Sequence, residues 1–358
     1  MQKLPIGLSD FKEVIKDNYY YVDKSLLIKE LIDQGTKVVL LPRPRRFGKT
    51  LNLSMLRYFF EKTAEDTSHL FRHLKIWQAG EEYAGRQGKY PVIYLTFKDV
   101  KELNWESALR KIKRLIKAEF LRHKYLRESK GFAVEQRKYY ADIMNLKADQ
   151  SDYEDSLKQL SHDLAEFYGQ QVMLLIDEYD SPIQAGYVNG YYAKVVGFMR
   201  NFLSGGLKDN PHLEKGVLTG IMRVAKESIF SGLNNPGVYT ILSHGFADKF
   251  GLTESEVQQM LKDFQLEALY QDVNKWYNGY IFGETVIYNP WSIINYLANP
   301  ADGFKPYWLN NFRQQHYRAT ADARRGGIAN RIGKPDQRRK CGKTDRREYR
   351  FCGDRAQR

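Results

Sequence analysis

Cysteine is almost missing from this sequence. Cys341 and Cys352 are the only two in 358 residues. Both sit near the C-terminus, so the body has no disulfide framework to rely on. No stretch approaches the ~20 apolar residues that cross a bilayer. The opening MQKLPIGLSDF has neither the basic start nor the apolar run of a secretory signal. These absences make the cytoplasm the expected compartment and exclude a membrane as partner. Chemical signatures are missing as well. There is no Cys/His metal-binding spacing, no G-x-S-x-G nucleophile elbow and no G-x-G-x-x-G fingerprint. No repeat of solenoid period occurs.

Acidic residues are scarce in only one place. The net charge of +13 suggests a nucleic-acid partner until it is located along the chain. Residues 311–358 hold 15 Lys and Arg against 5 Asp and Glu, which leaves residues 1–310 at only +3. The basic character therefore belongs to the tail, and a nucleic-acid partner rests on the tail alone.

What the body does contain is a series of apolar runs of strand length. Lys37–Leu41, Tyr90–Phe97, Gln171–Ile176 and Glu214–Gly220 each read as a strand buried on both faces. Helical periodicity separates them, notably over residues 101–170, and a helix is expected from Thr50 to about Lys62. Strands alternating with helices predict an α/β fold, a mostly parallel sheet sandwiched by helices. Residues 1–35 read as a lead-in segment and 36–242 as the sheet domain. Residues 243–310, helical and aromatic, read as a small, mainly helical second domain.

Arg43-Pro44-Arg45-Arg46-Phe47-Gly48-Lys49-Thr50 lies between the first strand and the following helix. That placement suits a phosphate loop, because amides at a helix N-terminus point at anions and the helix dipole favours them. A lysine there reaches the β- and γ-phosphates, and a threonine hydroxyl ligates Mg²⁺. Gly48-Lys49-Thr50 completes the G-x-x-x-x-G-K-[ST] pattern, but Arg43 stands where the first glycine belongs. Arg46, beside Phe47 in the same loop, is the arginine favoured for phosphate contact; coating an anionic neighbour is the alternative.

A second motif follows the third strand. Val172–Ile176 runs into Asp177-Glu178. A carboxylate at such a strand tip can hold Mg²⁺, and the next glutamate can polarise an attacking water. Either motif alone has a bland reading, a surface loop or a solvated acidic turn, but their order in one α/β chain favours a Mg-ATP site. Thr219 and Arg223 end the fourth strand. They could sense the γ-phosphate and stabilise developing charge, or simply form a strand-end turn with a solvated arginine. Trp276-Tyr277-Asn278-Gly279-Tyr280 and Tyr288-Asn289-Pro290-Trp291-Ser292 read first as packing for a small helical core.

In order along the chain, YVDKS, LLPRPRRFGKT, LLIDEYDSPI, LTGIMRVAKESIFSGLNN, KWYNGYIFG, VIYNPWSI and PYWLN resemble the bacterial AAA-ATPase-like family over about residues 4–310. The resemblance implies that RPRRFGKT is a P-loop (Walker A) despite its missing glycine. It implies Lys49 and Thr50 as phosphate and Mg²⁺ ligands, with Asp177 and Glu178 as the acidic (Walker B) pair. The expected activity is ATP hydrolysis; a switch that holds nucleotide without useful turnover is the alternative. A homo-oligomer is compatible with this reading. Many members carry a further nuclease domain, whose activity is not carried over to this chain.

The tail departs from the pattern. After Asn310 the apolar periodicity ends and arginine dominates, so residues 311–358 are expected to lack a packed core. A disordered basic arm is one reading. A frameshift is the favoured one, because codons compatible with the tail, read one nucleotide later, permit a sequence with helical apolar spacing and few arginines. A truncated, inactive product would then be possible.

Overall fold

The computed structural model describes residues 2–129, 131–221 and 236–307. Its centre is a parallel sheet made by β1 (Val38–Pro42), β2 (Val92–Thr96), β3 (Val172–Asp177), β4 (Leu213–Gly220) and β5 (Gly237–Val238). The spatial order is β2-β3-β4-β1-β5, every pair parallel. The four strands read from sequence all form, with ends shifted by one or two residues. β5 contributes only two residues, too few to leave a pattern.

Alternation along each strand divides the core in two. Val38, Leu40, Leu174 and Ile176 face one layer, and Val39, Leu41, Met173 and Leu175 face the other. The second layer contains α1 (Phe11–Lys16), α2 (Leu26–Asp33) and α3 (Lys49–Phe60), followed by the short α4 (Lys75–Gln78) and α5 (Glu81–Ala84). The first contains α6 (Trp105–Arg122), α7 (Val134–Met144), α8 (Gln150–Tyr168), α9 (Ser181–Val188) and α10 (Tyr192–Leu207). Caps fix two of the longest helices: Asn104 accepts from the Ser107 amide before α6, and Asp149 from the Asp152 amide before α8. Gly169 ends α8 at φ +62°, a left-handed turn that favours glycine.

The segment read as helical carries α11 (Glu254–Asp263), α12 (Tyr270–Tyr277) and α13 (Pro290–Ala298). It also holds a small antiparallel sheet, β6 (Leu252–Thr253), β7 (Asn278–Phe282) and β8 (Thr285–Tyr288), in the order β6-β8-β7. These elements enclose a third core around Val257, Leu261, Tyr288 and Tyr296. Leu4, Tyr20 and Val22 pack against that core, while Phe11, Leu27 and Leu31 join the second layer. The lead-in segment is thus built into the body on both sides, and residues 1–308 form one compact unit. The basic tail, with its frameshift reading, lies outside the described residues.

Candidate active site

β1 ends at Pro42 and the chain turns through residues 43–48 into α3. Gly48 sits at φ +80° and Arg46 at φ +71°. Gly48 is the N-cap of α3 and offers no side chain to the first-turn amides, which leaves those donors to whatever occupies the loop.

Three elements then converge. Thr50, in the first turn of α3, donates its hydroxyl to Asp177 Oδ2 at 2.7 Å. Thr219, near the end of β4, donates to Asp177 Oδ1 at 2.5 Å. Asp177, the last residue of β3, is wholly buried. Burial raises its pKa above the usual carboxylate value, and the hydrogen bonds from Thr219 and Thr50 oppose that rise. The strand order explains the meeting: β3 and β1 both flank β4, so their C-terminal ends open on one crevice, where ligands of α/β sheets bind.

Lys49 is 5% exposed, and its ammonium donates to the carbonyls of Arg43 and Pro44 at 3.0 and 2.9 Å. Burial pulls its pKa down, while Glu178, Asp177 and Asp180 pull it up. Those carboxylates therefore lie close enough to be felt by the lysine. Glu178 is half-buried, and its Oε2 accepts from the Ser181 hydroxyl at 2.9 Å. Its backbone adopts φ +48°, uncommon for a residue with a Cβ and often found where geometry serves a site.

Arg43 resolves the missing glycine. Its side chain is fully buried and turns away from the loop mouth. Nη1 donates to the carbonyls of Pro42 and Tyr239 at 2.9 and 2.6 Å, and Nη2 to that of Phe246 at 3.0 Å. The guanidinium also lies over the rings of Phe250 and Phe282. Desolvation brings its pKa down to about 10. Arg43 is therefore a staple between the loop and the 239–250 segment.

The two aromatic motifs are used in the same way. Phe47 is buried and meets Tyr280 edge-on at 4.8 Å, with Phe282 at 5.3 Å. Its side chain is a packing element. Arg46 stacks on Trp291 at 3.9 Å, and its buried Nη1 has no hydrogen-bond partner. The sequence reading missed both contacts. Arg223 lies outside the described residues.

The donor set suits Mg²⁺: Thr50 and Asp177 offer hard oxygen ligands, beside a lysine and a helix N-terminus that suit phosphates. A family model described as "Predicted AAA-ATPase" matches residues 5–230. The chain belongs to the AAA-ATPase-like family. An "Uncharacterized protein in vnfD 5'region" of Azotobacter chroococcum mcd 1 is 30% identical over 316 residues, covering 86% of this chain and 54% of that protein. The chain thus spans about half the length of this relative. Among the described residues no helix is long and apolar enough to cross a membrane.

Proposed function

We propose that this chain binds Mg-ATP on the loop Arg46–Thr50 and hydrolyses it. The observation that carries the reading is Asp177, bracketed by Thr50 and Thr219 with Lys49 alongside. Thr50 and Asp177 would hold Mg²⁺, which neutralises phosphate charge when bound. The Lys49 ammonium would exchange its two loop carbonyls for β- and γ-phosphate oxygens. Glu178 would accept a hydrogen bond from the attacking water and turn its lone pair toward phosphorus. Thr219 would hold the Asp177 carboxylate in place and stand beside the γ-phosphate. Arg223 is proposed from sequence as a charge stabiliser.

Phe47 and Arg46 tie the loop to Tyr280, Phe282 and Trp291. A change in loop shape on hydrolysis would therefore reach the 243–307 region directly, which is the conformational change that we assign to the cycle. One observation favours the alternative of a switch without turnover: Ser181 donates to Glu178 Oε2, which lowers the basicity of that oxygen toward water. Phosphate release by the full chain in Mg-ATP separates the two. Mg-dependent release supports the ATPase, whereas tight ATP binding with no release supports the switch.

A further inference from the structure

Asp163, near the C-terminal end of α8, is wholly buried. Among the described residues no lysine or arginine pairs with it. Gln136 and Gln159 donate to its Oδ1 at 3.0 and 2.9 Å. Oδ2 makes no hydrogen bond of normal geometry, although the Tyr140 hydroxyl is close enough to feel the carboxylate. A buried carboxylate calls for a paired cation or a metal ion, and here only the His162 ring stands within reach.

The neighbours of Asp163 have the geometry of a metal site. His162 and Glu166 stand one turn apart on α8 and face the same side. His162 Nδ1 is 3.1 Å from Asp163 Oδ1 and 3.9 Å from Glu166 Oε2. The three ligand atoms all lie within 4.8 Å of one another. An ion held tetrahedrally at about 2.1 Å sets its ligand atoms roughly 3.4 Å apart, and the two contacts of His162 bracket that spacing. His212 brings a fourth donor from another element. It directly precedes β4, and its ring meets that of His162 edge-on with 4.9 Å between centroids. The Val172 amide, at the start of β3, donates to the His212 carbonyl at 2.8 Å.

We propose that His162, Asp163, Glu166 and His212 form a Zn²⁺ site. Two imidazoles with two carboxylates suit a borderline ion such as zinc, whereas Mg²⁺ prefers oxygen alone. Gln136 and Gln159 are outer partners of the kind that orient a ligating carboxylate. A solvated His–Glu pair would account for His162 and Glu166, whose side chains are 46% and 65% exposed, but it leaves the Asp163 charge unanswered. The ion would neutralise that charge and clamp α8 to the start of β4. Asp177 and Thr219 stand toward the opposite ends of β3 and β4, so the site is separate from the phosphate loop and needs no nucleotide. The two histidines lie on different elements, and no spacing motif announces them.

Calorimetric titration of the full chain with zinc chloride tests the site, beside thermal unfolding with and without the ion. Wild type should take up one ion saturably and unfold at a higher temperature with it. His162→Ala, His212→Ala and Glu166→Gln should each weaken zinc binding at least about tenfold, since loss of an outer partner alone costs about 10–100-fold. Glu166 is exposed, so its variant keeps the fold, and unfolding of the zinc-free variants checks the other two. Zinc held by the phosphate-loop oxygens instead would be untouched by all three changes. A wild-type chain without saturable binding, or wild-type affinity in any of the three variants, overturns the site.

Discussion

Thr219 donates its hydroxyl to Asp177 Oδ1 at 2.5 Å, joining the tip of β4 to the tip of β3. With Thr50 on the other oxygen, the carboxylate is anchored by neutral donors in a buried setting that raises its pKa. The fold therefore disfavours its ionised form. An acid with a raised folded pKa contributes most stability below its ordinary value near 3.8 and loses it as pH rises through the folded value. Asp177→Asn removes that cost. The variant without ligand should be more stable than wild type at pH 7, and the difference should shrink as pH falls toward 4. Its Mg²⁺ dependence should weaken. Thermal unfolding from pH 4 to 8 checks the first point, and a variant less stable at pH 7 contradicts it.

Glu178→Gln should bind Mg-ATP as wild type does yet release phosphate ~10²–10⁴-fold more slowly. Glutamine keeps the length and an oxygen for Ser181 but loses the basic oxygen that polarises water. Steady-state phosphate release beside calorimetric binding is the measurement. Turnover at the wild-type rate would move the catalytic group elsewhere.

Arg43→Gly, which restores the usual first glycine of a phosphate loop, should destabilise this protein by about 3 kcal/mol or more. It strips three carbonyls of a buried cationic donor and opens a void beneath Phe250 and Phe282. Denaturant unfolding reads the change. Unaltered or greater stability would show that the staple contributes nothing.

Much of this was readable along the chain, and the reasons differ by element. β1 to β4 are buried on both faces, so each left a continuous apolar run. Gly48-Lys49-Thr50 and Asp177-Glu178 were visible because local spacing encodes a strand, a turn and a helix start. Arg43 could not be read, because its partners Tyr239 and Phe246 lie about two hundred residues away. The same distance hid Phe47 against Tyr280 and Arg46 on Trp291, so the aromatic motifs looked like packing for a separate core. The β7–β8 hairpin did leave a signal. Phe282 pairs with Thr285 across the two-residue loop Gly283-Glu284, with Gly283 at φ +56°, and a glycine opening such a loop marks a hairpin turn. The helical reading of the surrounding sequence overrode it.

The central claim is that the loop ending in Lys49 and Thr50 holds a nucleoside triphosphate. Lys49 is the buried cation that donates to two backbone carbonyls and would trade them for phosphate oxygens, and no arginine of the loop is a substitute for its compact charge. The direct measurement is calorimetric titration of the full chain and of Lys49→Ala with ATP and Mg²⁺. The account predicts saturable binding by wild type that is weakened at least ~100-fold in the variant. Equal affinity in the two proteins would contradict it.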